Sequence, residues 1–143
     1  MKQVVAIGND HAGVALKNAL LAEIAACGFE AVNIGTDSDA SVDYPDYGNA
    51  VVAEITSGRA VFGIAICGSG IGISIACNRH AHIRAALCHT GLEAQLARQH
   101  NSANILCLGS RIIGELEAKE CVRRFLSTGF EGGRHLERIK KLG

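Results

Sequence analysis

Five short apolar runs recur along the chain: QVVAIG (3–8), EAVNIG (30–35), AVFGIAIC (60–67), HIRAALC (82–88) and NILCLG (104–109). Between them stand longer segments with helical patterning. GVALKNALLAEIAACG places Leu16, Leu20 and Ile24 four residues apart and stops at Gly28, as an amphipathic helix closed by a glycine does. NAVVAEIT predicts a helix ending near Gly58, and the polar stretch TDSDASVDYPDYG before it, with the only proline, reads as a loop. In GIGISIACN the alternation of Ile71, Ile73 and Ile75 resembles a strand, but the glycine-rich lead-in favours a helix start. Thr90 and Glu93 form a T-x-x-E capping box that opens a helix to about Gln99. GELEAKECVRRFLS predicts another helix, and the basic tail GFEGGRHLERIKKLG a short last one.

Strands separated by helices require crossover connections, which produce a parallel sheet covered on both faces. The expectation is one α/β domain over residues 1–143, a Rossmann-like three-layer αβα sandwich with about five parallel strands. In such sheets ligands bind beyond the carboxyl ends of the strands, so the residues at those ends carry the functional information.

Balanced charge, 14 Lys plus Arg against 14 Asp plus Glu, argues against a general nucleic-acid binder. No apolar run approaches the roughly 18 residues of a membrane span, and the start MKQVVAIGND lacks the apolar region of a signal peptide, so a cytoplasmic location is expected. Six cysteines without a CxxC pair read as free thiols of a reducing compartment. A hydrophobic share of 48% with only 20% charged residues is apolar for a chain this short, and points to apolar surface buried against a partner.

At the end of the first run, GNDHAG offers Asp10 and His11 just before a helix. Asp10 is either an N-cap or an acceptor for a substrate hydroxyl, and His11 a bystander or a donor. The third run ends in Cys67, followed by Gly68, Ser69, Gly70, Ile71 and Gly72. Alternate glycines let backbone N–H groups converge on an anion at a helix start. The loop is neither a dinucleotide fingerprint nor a Walker A sequence. A thiol in that setting reaches the thiolate near neutrality; the competing reading is a core cysteine such as Cys88 or Cys107. His100 and Asn101, in RQHN, are expected in the turn before the fifth run, His100 as an acid/base or merely a dipole-compensating residue. Arg111 in GSRIIG reads as a phosphate fork. Arg134 and Arg138 share a face if the tail is helical, with His135 beside them, as phosphate ligands or as a solvated basic face. Together, a thiolate base, an amide cradle, a histidine and arginines on one edge suit proton abstraction next to a carbonyl of a phosphorylated substrate. No metal-ligand spacing is evident.

NDHAG, DYPDYG, ICGSGIGISIACN, RQHN, LGSRIIG and EGGRH, in this order and spacing, resemble the type B ribose-5-phosphate isomerases, a family that includes galactose- and allose-6-phosphate isomerases. The resemblance covers essentially the whole chain. It implies an aldose–ketose isomerase without cofactor or metal, with Cys67 moving a proton between C1 and C2 and residues 68–72 stabilising the enediolate. His100 would open the sugar ring with Asn101 beside it, Asp10 and His11 would touch substrate, and Arg111, Arg134 and Arg138 would hold the phosphate. Some relatives use a glutamate as base; ISIACN has none, which fits the cysteine subtype, and Ser69 replaces a common threonine conservatively. The resemblance further implies a homodimer or homotetramer with sites at subunit interfaces, the tail 130–143 reaching a neighbour. Ribose 5-phosphate is the expected substrate. The rivals are a six-carbon 6-phosphate and a non-catalytic phosphosugar-binding module.

Overall fold

The computed structural model describes residues 1–143. Its strands are β1 (Val4–Asn9), β2 (Glu30–Asn33), β3 (Phe62–Cys67), β4 (Ala85–Leu87) and β5 (Ile105–Gly109). They form one parallel sheet in the order β2-β1-β3-β5-β4. The helices are α1 (Val14–Ala26), α2 (Tyr44–Thr56), α3 (Ile71–Asn78), α4 (Gly91–Asn101), α5 (Glu115–Ser127) and α6 (Arg134–Lys140). The expected α/β class, strand count and parallel sheet are all present.

Alternation along the strands builds the layers, because successive side chains point to opposite faces. Ile64 and Ile66 pack on one side with Leu20 and Ile24 of α1 and Phe125 of α5. Ala65 and Cys67 face the other side, with Val51 of α2 and Ile73 and Cys77 of α3. Each large side chain removed from water in these layers contributes about 1.5–3 kcal/mol. The isoleucine alternation resolves as a helix: Ile73 is fully buried, while Ile71 and Ile75, one turn apart, lie exposed on the outside of α3.

Three boundaries differ from the sequence reading. α2 begins at Tyr44, so DYPDYG is its first turn and not loop; Pro45 fits there because its fixed φ suits the start of a helix and its missing N–H is not needed. α4 runs through Asn101 and stops at Ser102, whose φ is 46°, so His100 and Asn101 are the last residues of a helix and not a turn. β4 keeps only three residues of its run. On its outer side Asn78 brackets Ala85, donating from Nδ2 to the Ala85 carbonyl at 2.9 Å and accepting the Ala85 N–H at Oδ1 at 2.8 Å. The capping box is present as read: Glu93 N–H donates to Thr90 Oγ1 and Thr90 N–H to Glu93 Oε1, both at 3.1 Å.

The chain leaves β1 toward β2 on one side and returns through α2 to β3 on the other. That reversal opens a crevice at the carboxyl ends of β1 and β3, the position where ligands bind in open α/β sheets.

Candidate active site

Asp10 follows β1 and Cys67 ends β3, so the two flank this crevice. Asp10 is buried and caps the 3₁₀ turn His11–Gly13 through Oδ1, which accepts the Ala12 N–H at 3.0 Å. Its Oδ2 makes no hydrogen bond within the chain. Capping therefore occupies one oxygen of the carboxylate and leaves the other free.

The Cys67 sulfur accepts the Gly70 N–H at 3.2 Å. Gly70 stands at φ 77°, and a Cβ there would lie 2.5 Å from Leu87 Cδ1 and 2.9 Å from the Gly109 nitrogen, so only glycine fits. The loop is fastened to the end of β5, where Ser110 N–H donates to the Cys67 carbonyl and Arg111 N–H to the Gly68 carbonyl, both at 2.9 Å. The Ile71 N–H turns back onto Ser69 Oγ at 3.2 Å. Arg111 extends its exposed guanidinium past Gly68 and pairs with no carboxylate. Asp10, Tyr44, Cys67, Ser69, Gly72 and Arg111 line an open cleft of about 530 Å³, with Gly68 and Ile71 also on its wall. Tyr44 was not singled out from sequence. It reaches the cleft because α2 starts early and because Gly72 has no side chain: a Cβ there would lie 2.5 Å from Tyr44 Cζ.

Burial pushes Cys88 and Cys121 up to about 12. The hydrogen bond between Cys77 and Cys107 holds Cys77 below the usual thiol range and, with burial, Cys107 well above it. Cys67 is the cysteine that opens onto a cleft.

His11 stands beside this site without lining it. Its Nδ1 accepts the Val42 N–H at 3.1 Å, which places the ring proton of the neutral form on Nε2. Behind it, the buried Lys17 Nζ donates to the Thr36 carbonyl at 2.7 Å and pairs with Asp37, tying down the loop after β2.

The remaining expected residues do not join this cleft. His100 and Asn101 end α4 just before β5 begins, so they lie at the amino edge of the sheet. Cys67 pairs in register with Gly109 at the opposite end of β5. Five residues at about 3.3 Å each separate the edges by roughly 16 Å. The expectation of a single edge carrying thiol, histidine and all three arginines is thus wrong within one chain, because a residue that precedes a parallel strand sits at its amino end.

The amino edge has its own constellation. The His100 ring stacks on His135, centroids 4.4 Å apart and 15° between planes. Glu131 Oε1 lies 3.9 Å from His100 Nε2 and 3.6 Å from His135 Nε2. Burial foremost, then His100 and Arg134, lower His135 below the ordinary imidazole range, against an opposing pull from Glu131. Arg134 and Arg138 are exposed one turn apart on α6, and neither makes an ion pair. Each chain therefore carries two separate constellations: a thiol beside a glycine loop with one free arginine, and a stacked histidine pair with two.

The family described as Ribose/Galactose Isomerase matches residues 5–142. Ribose-5-phosphate isomerase B of Escherichia coli K12 is 43% identical over 138 residues, covering 96% of this chain and 93% of that protein. The type B ribose 5-phosphate isomerase of Trypanosoma brucei superposes with a TM-score of 0.96 at 43% identity, over 99% of this chain and 97% of that one. The Thermotoga maritima ribose 5-phosphate isomerase does so with a TM-score of 0.94 at 50% identity, over 98% and 97%.

Proposed function

This chain belongs to the ribose/galactose isomerase family, and from that premise we propose that it interconverts D-ribose 5-phosphate and D-ribulose 5-phosphate in a site completed by a second copy of itself. The observation that carries the reading is the Cys67 thiol held by the Gly70 N–H at the mouth of the cleft, beside an arginine without a counter-ion.

In this reading His100 opens the furanose, giving a proton to the ring oxygen while the anomeric hydroxyl loses one. The Cys67 thiolate takes the C2 proton of the open aldose, and charge moves onto O1. The loop of Gly68, Ser69, Gly70, Ile71 and Gly72 stabilises that enediolate where it forms, through those of its N–H groups not already turned onto Cys67 Sγ and Ser69 Oγ. The O2 hydroxyl proton passes to O1 and the thiol returns its proton to C1, leaving the ketose. Asp10 accepts a substrate hydroxyl, with His11 and Asn101 as further polar contacts. Arg111, Arg134 and Arg138 grip the phosphate. The chemistry calls on no metal or cofactor.

This reading takes the two constellations as halves of one site, which calls for a second copy. A two-fold axis brings the amino edge of each chain to the carboxyl edge of the other, which makes two equal sites per dimer. Exposed Ile71 and Ile75 on α3, and Leu92 and Leu96 on α4, supply an apolar surface for the contact, and Ile71 is also part of the cleft wall. The tail 130–143 then delivers Arg134 and Arg138 to the neighbour. Free thiols and the absence of any helix long and apolar enough to cross a membrane fit a cytoplasmic enzyme.

The test is turnover of ribose 5-phosphate against allose and galactose 6-phosphates by the native chain, and the same assay on Cys67→Ala. Removing a proton-transferring base costs about 10²–10⁴ in rate. Near-native turnover by Cys67→Ala, or preference for a six-carbon substrate, overturns the assignment.

A further inference from the structure

His100 is an awkward residue to rely on for proton transfer. It sits in the last turn of α4, and 40% of its side chain is exposed, so little on its own helix fixes its ring. The tail supplies what the helix lacks. Arg98 Nε donates to the Thr128 carbonyl at 3.2 Å, and the Glu131 N–H to the Gln99 carbonyl at 3.0 Å, which ties the segment after α5 to the end of α4. Gly132 and Gly133, at φ 71° and 59°, then reverse the chain. The turn lays His135, only 9% exposed at its side chain, flat against the His100 ring.

We propose that His135, together with Glu131, is a positioning residue for His100: the buried ring is a platform that selects one orientation of the exposed ring, and the carboxylate stands beside both Nε2 atoms to pair with the proton that His100 takes up. The inference rests on the reading of His100 as the ring-opening group. The glycine turn is part of the device, since it alone returns the chain over α4. Arg134 and Arg138 flank His135 on α6 and stand exposed to solvent.

The test separates ring opening from isomerisation. Erythrose 4-phosphate carries its phosphate on the one hydroxyl that could close a five-membered ring, so it reaches any enzyme open-chain. kcat/KM is measured for it and for ribose 5-phosphate with His100→Ala, His135→Ala and His135→Phe in the full-length protein. His135→Ala is expected to lower the ribose 5-phosphate value about tenfold and to leave the erythrose 4-phosphate value within about twofold. His135→Phe keeps a flat ring and is expected to restore most of the loss. His135→Leu, which fills the volume without a flat face, serves if the alanine variant fails to fold; its expected pattern is that of His135→Ala. Equal losses on both substrates, or a phenylalanine variant no better than leucine, overturn the platform. If His100→Ala itself hits both substrates alike, the ring-opening reading fails first. If His100→Ala shows the split and the His135 variants do not, only the positioning inference falls.

Discussion

The Gly70 N–H points at the Cys67 sulfur from 3.2 Å, and this one contact joins the proposed acid–base group to the loop proposed to hold the charge it generates. It depends on a left-handed residue wedged between Leu87 and the backbone of Gly109. Gly70→Ala should cost at least about 1–2 kcal/mol from the positive φ alone, more from the overlap, and should depress kcat well beyond what the lost stability explains. Thermal unfolding and kcat measured side by side check this. An alanine variant with native kcat would show that the loop conformation is dispensable.

Mixing tells whether the two edges of one chain serve different sites. Cys67→Ala and His100→Ala chains, each inactive on ribose 5-phosphate, should regain activity once subunits exchange, because one of the two sites in a mixed dimer carries both residues. At equal mixing the recovery should approach a quarter of the native rate. No recovery despite exchange, followed by native mass spectrometry, would mean that a single chain supplies both Cys67 and His100 to each site.

Arg138→Ala should raise KM for ribose 5-phosphate while leaving any turnover of unphosphorylated ribose unchanged. A charge-assisted hydrogen bond is worth about 1.5–3 kcal/mol, or roughly 10–150-fold in KM. An equal effect on both sugars would mean that Arg138 supports the fold instead.

The lowered basicity of His135 makes a prediction about pH. Burial leads, His100, Arg134 and Arg138 add to it, and Glu131 opposes it. The unfolded chain takes the proton at the ordinary value near 6.5, the folded chain only below that. Stability contributed by the neutral ring is therefore complete above about pH 6.5 and lost as pH falls through the folded value. Tm measured from pH 7.5 to 5 should decline less steeply in His135→Phe than in the native protein. Parallel declines would show that His135 does not titrate differently in the two states.

Much of this was legible in the residues. Alternating apolar runs required a parallel sheet, T-x-x-E marked the start of α4, and Gly68 to Gly72 could be read as a cradle because backbone amides need no partner from elsewhere in the chain. The edge assignment of RQHN was legible as well, since in a parallel sheet whatever precedes a strand lies at its amino end. Treating His100 as a neighbour of Cys67 passes over chain direction. Tyr44 was hidden because DYPDYG has the composition of a loop, and proline marks both loops and first helical turns. The stacking of His135 on His100 was not legible at all: it depends on a reversal at Gly132 and Gly133 that brings together residues 35 positions apart in sequence.

Asn78, whose amide brackets Ala85, bears on how such a protein survives at high concentration. β4 is the outermost strand on its side, and an outer strand with free N–H and C=O groups invites a strand from another molecule to add on. One side-chain amide fills both groups of Ala85 and leaves the strand too short to template a foreign one. The exposed isoleucines of α3 can then meet a partner by face-to-face packing, without the sheets of two molecules fusing into an open-ended stack.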